Sequence, residues 1–510
     1  VTFARRDVVR MVVCVVGGLI YGTAYPLSLT SWVGAAAVVA PILVVALCGR
    51  IPAREALQYF CIFILVGHVA ILRDLPIAIT DTIGLGLPFA WGYLILLAVS
   101  IWQTIPFAAA YGLYTWSTLR ERWFGPLLGG GLFVLAIQVL PTPFPGSFQH
   151  PLLFVPRLNA SVLMLGPQGF AWLVTTTILA GAALGFREKR WYRCALVGFC
   201  MAVFALGLGW RASTALPTQQ TLLNTLVVQD GLLFGEALAA TEIELQRRPG
   251  VHLVVFGESM LVDDDHDAPA ERKRKLASLR ALTERYHVNV LFVWARTLPG
   301  RRLSTSTLFS PGGQTAYRDK QLLMPLGEYM PRWFQALGVP GINQWRREWA
   351  HFEPGTANDA FIVDGVPIQV LLCYESLFPS FVERVVPQRA RLIVVQSNLD
   401  AFANAASIRS LHMALEAALP MSRDVSIMHV LRSGPSTVIS AEGALDEAML
   451  ADSSRTPFYR KTVRLGVPAF PAWRSVLDQW IRLAAWCTGL MATILAIAYC
   501  SSRWRHTVCR

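Results

Sequence analysis

Between Val8 and Trp210 the sequence is a succession of apolar runs, each broken only by a short basic or Pro/Gly-rich step. A run of about 20 apolar residues is the length that crosses a bilayer as a helix, and a helix satisfies its own backbone hydrogen bonds there. The runs fall at 8–29, 32–48, 56–72, 86–115, 125–140, 168–186 and 193–210 and predict seven spans. The fourth holds Pro106, which predicts a kink or a break into two pieces. One more run, 480–500, precedes Arg503, Arg505 and Arg510. The composition agrees: 54% hydrophobic, 15% charged, and a mean hydropathy of +0.45. The first run lacks a clear small-residue cleavage site and is expected to stay as an anchor.

The formal charge of +12 therefore reads as topology before nucleic-acid binding. No basic tract is interleaved with aromatics, and no nucleic-acid partner is expected. Arg5, Arg6 and Arg10 stand at the start of the first run. Arg50 and Arg54 follow the second, Arg120 and Arg122 the fourth, and Arg187, Lys189, Arg190 and Arg193 the sixth. The alternate breaks carry little: Arg73 and Arg157. Basic loops stay cytoplasmic, so the N-terminus is expected inside and the stretch after seven spans outside. The expected division is 1–210 as a membrane domain of about seven helices, 211–478 as an extracytoplasmic catalytic domain, and 479–510 as a last span with a basic cytoplasmic tail.

The outer region reads as mixed α/β. Strands are predicted at Leu222–Val228, Val251–Phe256, Val288–Trp294, Phe361–Val363, Ile368–Leu372, Leu392–Val395 and Ser426–Val430. Helices are predicted at Gly235–Gln246, Ala270–Tyr286, Leu377–Val386 and Ala405–Ala418. Fully apolar strands alternating with helices predict a sheet covered by helices. The acidic run Asp263–Asp267 reads as an exposed loop.

One cysteine stands out. Of nine, Cys373 alone lies in the outer region, where an unpaired thiol is worth flagging as reactive. It ends an apolar strand and precedes a helix-like segment, the geometry that raises a nucleophile at a strand end. A buried core thiol is the other reading. A cysteine nucleophile needs a base and a cation or donor for the oxyanion. Glu258 follows the apolar strand at 251–256, where partial burial raises a carboxyl toward a useful base. Lys320 precedes Gln321-Leu322-Leu323-Met324-Pro325-Leu326-Gly327-Glu328-Tyr329-Met330-Pro331 and offers a compact cation. The nine histidines show no His-x-x-x-His spacing; no Gly-x-Ser-x-Gly elbow or P-loop occurs. Charged residues are nearly absent from the spans, unlike an ion pathway.

Glu258, the Lys320–Pro331 block and Cys373-Tyr374-Glu375 resemble the Glu–Lys–Cys motifs of the nitrilase superfamily. Spans flanking such a domain resemble its apolipoprotein N-acyltransferase branch. The resemblance implies an extracytoplasmic α-β-β-α sandwich beside a multi-span helical domain. It implies Glu258 as base, Lys320 as oxyanion stabiliser and Cys373 as nucleophile, with Glu328, Tyr374 and Glu375 in support. Asn398, Phe402 and Ser433 would face the substrate. The implied reaction moves an acyl chain from a phospholipid, through a thioester, to the amine of a diacylated lipoprotein. It implies a multi-pass protein of the bacterial inner membrane, its catalytic side periplasmic, monomeric, with no cofactor and no metal. A membrane-bound amidohydrolase, a nitrilase-like accessory protein of plasmid conjugation and a catalytically inactive scaffold are the alternatives. The chain departs from the family in four places: Gly257 replaces the usual Pro, Gln229-Asp230-Gly231 stands for Gln-Gly-Asn, Leu399-Asp400-Ala401-Phe402 for Asp-Ala-Trp-Phe, and Ser433-Gly434 for Asn-Gly.

Overall fold

The computed structural model describes residues 5–27, 33–78, 89–117, 119–153, 160–183, 220–229, 234–258, 269–325, 327–329, 352–359, 361–386, 390–399, 406–416, 425–432, 436–440, 458–466 and 473–508, with a few isolated positions besides. The predicted span at 193–210 and the acidic run at 263–267 lie almost wholly outside these.

The apolar runs form helices α1 (Arg5–Leu27), α2 (Val33–Cys48), α3 (Ala53–Ile71), α4 (Phe89–Trp116), α5 (Gly125–Val139) and α6 (Ala160–Ala183). Among the described residues, four helical segments are long and apolar enough to cross a membrane: Arg6–Ala24, Ala53–Ile71, Ala90–Trp116 and Gln479–Ala498. The protein is therefore multi-pass. Pro106 lies inside α4, which stays one helix rather than two. The break comes instead in α6, at Gly166, whose φ of 69° no β-carbon-bearing residue adopts cheaply. Val12, Val16, Leu19, Leu94, Leu97, Ile101, Leu490 and Ile494 are exposed on the outer faces of their helices, where lipid would cover them. Inside, the helices meet through small residues. A β-carbon on Gly22 of α1 would sit 2.5 Å from Gly67 O of α3, so only glycine allows that approach.

The remaining elements build two sheets. Strands β1 (Gln220–Val228), β2 (Leu253–Phe256), β3 (Asn289–Leu298), β4 (Arg301–Phe309) and β5 (Thr315–Asp319) belong to the first. Strands β6 (Phe361–Val363), β7 (Val366–Leu372), β8 (Leu392–Ser397), β9 (Ser426–Leu431) and β10 (Thr437–Ile439) form the second. A last strand, β11 (Phe458–Gly466), returns to the first sheet. The orders are β11-β1-β2-β3-β4-β5 and β10-β9-β8-β7-β6. Pairs β1–β2, β2–β3, β7–β8 and β8–β9 are parallel; the others are antiparallel.

The sheets face each other across one apolar layer, in which Val227, Val255, Leu291 and Val293 meet Val370, Leu372, Val394 and Met428. Helices α7 (Phe234–Arg247) and α8 (Pro269–Tyr286) cover the outer face of the first sheet through Leu245, Leu279 and Leu282. Helix α9 (Pro379–Val385) covers the second through Phe381 and Val382. Helix α10 (Ala406–Glu416) lies between the second sheet and the membrane helices. The architecture is the α-β-β-α sandwich that the motifs imply, where the apolar strands alone predicted a single covered sheet. The chain ends in α11 (Trp473–Val508), which packs on α5; a β-carbon on Gly131 would meet Gly489 N at 2.6 Å.

Candidate active site

Four chain segments leave the carboxyl ends of their strands at one end of the sandwich. Glu258 follows β2, Lys320 follows β5, Cys373 follows β7 and Asn398 follows β8. A parallel core makes this convergence a consequence of topology, because strands running the same way finish on the same side.

Cys373 begins a tight turn (Cys373–Leu377) before α9 and has a φ of 47°. That left-handed conformation is uncommon outside glycine and is found where a site over-determines it. Glu375 holds the turn in place. Its Oε1 accepts from the backbone N–H groups of Gln321 (2.7 Å) and Leu322 (3.2 Å). Its Oε2 accepts from Leu372 N–H (3.0 Å) and from Arg318 Nη2 (3.0 Å). Arg318 and Glu375 are both 0% exposed, so this ion pair rivets the Lys320 segment to the cysteine turn in the dry interior. Next door, Asp319 accepts both hydrogen bonds of Arg296 Nη2, at 2.8 and 2.9 Å, and one from Thr305 Oγ1 at 2.7 Å.

Lys320 is 1% exposed. Its Nζ donates to Glu258 Oε1 (3.0 Å) and to Glu328 Oε1 (2.6 Å). A lysine has three donors, and the third has no acceptor among the described residues. Glu328 Oε2 accepts from Met324 N–H (2.8 Å), which closes the turn that carries it. Glu258 Oε2 accepts from Asn398 N–H (3.0 Å). Both carboxylates are thereby aimed, and neither swings freely.

The electrostatics follow. Burial pushes the Glu258 carboxyl above the ordinary range; the Lys320 ammonium pulls it partly back, and Glu328 pushes it up again. Burial works against the Lys320 charge, but Glu258 and Glu328 outweigh it and keep the ammonium well above its usual value. Burial also pushes the Cys373 thiol up, Glu258 adds to that, and Lys320 opposes both. The Ser397 hydroxyl also opposes that rise. Burial and the neighbouring carboxyl groups therefore favour the neutral Cys373 thiol over the thiolate.

Tyr374 faces the membrane helices. Its hydroxyl donates to Pro143 O at 2.6 Å, and burial raises its phenol. Pro143 opens the stretch that plugs Phe148 among Tyr21, Phe107 and Phe133. One continuous apolar cluster therefore runs from the bundle interior to Cys373, Tyr374 and Leu377. Of the remaining sequence candidates, Asn398 contributes its backbone N–H, while Phe402 and Ser433 lie outside the described residues. Gly257 gains a reason: a β-carbon there would lie 2.6 Å from Arg432 Cα and N, so the strand end has no room for the family's proline. Sequence reasoning missed Arg318, Ser397 and a buried group of His412, Glu416 and His429. Only the pair His412 and Glu416, four apart on one helix, left a local trace.

No protein-family model matches the chain. Apolipoprotein N-acyltransferase of Geobacter metallireducens is 26% identical over 199 residues, 39% of this chain and 36% of that one. The Mycolicibacterium smegmatis apolipoprotein N-acyltransferase is 26% identical over 184 residues, 36% of this chain and 29% of that one. The chain thus spans about a third of the length of the curated relatives it matches, 36% and 29% in these two. Among solved structures, the Helicobacter pylori G27 carbon-nitrogen hydrolase superposes with a TM-score of 0.35 at 14% identity, covering 44% of this chain and 84% of that one. An amidase from Nesterenkonia sp. gives a TM-score of 0.35 at 14% identity over 52% of this chain and 99% of that one. Over part of its length, the chain is a distant, divergent homologue of apolipoprotein N-acyltransferases.

Proposed function

We propose that this protein is a membrane acyltransferase that works through a Cys373 thioester. The observation that carries the reading is the Glu258–Lys320–Glu328 cluster, set beside a cysteine of left-handed φ whose apolar surroundings continue into the membrane helices. Glu258 removes the thiol proton as Cys373 Sγ attacks the ester carbonyl of a phospholipid. The third N–H of Lys320 meets the developing oxyanion, where a preformed donor in a dry site is most effective. Collapse expels the lysophospholipid alkoxide, which takes the proton from Glu258, and leaves the thioester. The N-terminal amine of an S-diacylglyceryl cysteine then attacks. Glu258 accepts the amine proton, the amide forms, and the thiolate departs to be reprotonated.

The apolar continuity supports lipid substrates, because an acyl chain can stay in apolar surroundings from bilayer to thiol. The distant homology supports the lipoprotein acceptor. Alternating loop charge, with α4 counted as a single helix, supports placing 211–478 on the periplasmic face of the bacterial inner membrane, between the 1–210 membrane domain and the 479–510 anchor. The reaction as written uses a monomer and no cofactor.

The test is direct. Purified protein is incubated with phospholipid, and the Cys373 peptide is weighed by mass spectrometry. An acyl adduct that a diacylglyceryl-cysteine peptide discharges, gaining the acyl mass, is the expected result. Discharge by water alone makes the protein a hydrolase. No adduct, with Cys373→Ala indistinguishable from wild type in cells, removes both enzymatic readings.

A further inference from the structure

Behind the nucleophile's turn lies a second group of active side chains that acyl transfer does not use. His412 and Glu416 stand one turn apart on α10, and His429 comes from β9. Their ligand atoms all lie within 4.8 Å of one another. His412 Nε2 is 2.9 Å from Glu416 Oε1, and His429 Nδ1 is 3.0 Å from Glu416 Oε2. The three residues are 5%, 0% and 1% exposed. A fully buried carboxylate needs a countercharge. Among the described residues no arginine or lysine pairs with Glu416.

The hydrogen bonds around the cluster hold more lone pairs than protons. Ser376 Oγ lies 2.7 Å from Cys373 O and within hydrogen-bond distance of Glu416 Oε1. One hydroxyl proton serves only one of these acceptors. His429 Nε2 lies 3.1 Å from Ser397 Oγ, an oxygen that can accept its proton. With the His429 proton on Nε2, Nδ1 is a bare lone pair. Nδ1 then sits 3.0 Å from Glu416 Oε2, a buried oxygen with no well-aligned donor among the described residues. Two lone pairs at that separation with no proton between them repel. A cation between them removes the conflict, and its charge offsets the buried carboxylate.

We propose that His412 Nε2, Glu416, His429 Nδ1 and Ser376 Oγ form a structural divalent metal site, with Zn²⁺ as the ion that two imidazoles and a carboxylate suit. Zinc holds such donors at about 2.0–2.2 Å, which sets neighbouring donor atoms about 3.3–3.5 Å apart. The observed pairs at 2.9 and 3.0 Å need to open by only a few tenths of an ångström. The Ser397 bond to His429 is the outer contact that fixes a metal-bound imidazole. The ion would tie α10 to β9 and to the cysteine turn. Because Leu411 and Leu415 of α10 join the apolar core of the membrane helices, the site would clamp the nucleophile's support to the bundle.

The experiment uses the full-length protein in detergent, purified without a polyhistidine tag or chelator. Elemental analysis is expected to find about one zinc per chain. Chelation is expected to lower the thermal midpoint, and Zn²⁺ alone to restore it. Glu416→Gln is expected to lose at least tenfold in zinc affinity. Because that variant could fail to fold, His412→Cys is loaded with Co²⁺, where a new thiolate-to-cobalt charge-transfer band reports the ligand by a gain of signal. Wild-type protein that holds less than about a tenth of an equivalent, and whose chelated form is indifferent to Zn²⁺, overturns the proposal. Zinc retained undiminished in Glu416→Gln, with no new cobalt band in His412→Cys, overturns it too, by placing the ion elsewhere.

Discussion

Glu375→Gln changes almost no volume, yet it strikes a fully buried carboxylate that four donors meet. The carboxylate accepts four hydrogen bonds, two at each oxygen, from Gln321, Leu322, Leu372 and Arg318. An amide keeps one acceptor oxygen and turns its NH₂ toward two donors. Arg318, 0% exposed, loses its carboxylate partner at the same time. Removing one partner of a buried ion pair costs about 3–5 kcal/mol. Arg318→Met leaves Glu375 with its three backbone donors and falls near the lower end, about 3 kcal/mol. The double variant carries no stranded guanidinium, so it is expected to be about 1–3 kcal/mol less unstable than the sum of the two. Native-state hydrogen exchange on the amides of β7 reads these values where they act. Glu375→Gln is expected to speed exchange there by roughly 10²- to 10⁴-fold, at 1.36 kcal/mol per decade. Exchange within about threefold of wild type, or strict additivity in the cycle, would refute the claim that this carboxylate holds the turn.

Four further outcomes follow from the geometry. Burial first, and then Glu328 against Lys320, raises the Glu258 carboxyl, so Cys373 acylation should fall with decreasing pH at a midpoint above 4.5, and Glu258→Gln should abolish that limb. The same shift has a stability sign: protonated Glu258 favours the folded state, a contribution complete below its unfolded value and lost as pH rises through the folded one, so Glu258→Gln should flatten this part of a thermal-midpoint profile. Gly257→Pro restores the family's usual residue but forces atoms against Arg432 and deletes the N–H that meets Val228 O at 3.2 Å, so chemical denaturation should show a loss of about 1–3 kcal/mol and no gain in activity. Gly131→Leu should push α11 off α5, read as faster cross-linking or proteolysis of the C-terminal helix, with the sheets intact.

How much of this was legible in the chain depends on whether the signal was local. Apart from β6, whose Ile362 is exposed, the apolar strands were legible because they are largely buried on both faces and need no partner to announce them. Strand β4 was not. Ser304, Thr305, Ser306 and Thr307 are all buried, at 6%, 0%, 0% and 1%, yet they look like a surface loop. Their hydroxyls are satisfied from afar: Thr305 by Asp319 at 2.7 Å, Thr307 by Trp294 Nε1 at 3.0 Å, Ser306 by Gln396 of the other sheet. Gln396 in turn donates to Phe256 O at 2.7 Å, so a polar thread joins the two sheets where hydropathy reads only breaks. Strand β11 escaped because it pairs with β1, more than 200 residues earlier, and carries Arg460, Lys461 and Arg464.

The same rule sorts the site. Glu258, Lys320 and Cys373 were legible because each interrupts or ends a strand, and a charged or nucleophilic residue at a buried strand end has few bland explanations. Their supports were not legible, because a support is defined by what it touches. Arg318 reads as one more arginine until Glu375 is found opposite it, 57 residues on. Tyr374 reads as half of a motif, yet its hydroxyl reaches Pro143, 231 residues back, in the helical part of the chain. That last contact changes what the cysteine turn is. A turn riveted to the sandwich by Glu375 and to the bundle by Tyr374 cannot move with one and not the other. Cys373 is thus positioned by both parts at once. In the proposed reaction, an acyl chain entering from lipid and an amine entering from the aqueous side would meet at an atom whose place neither part sets alone.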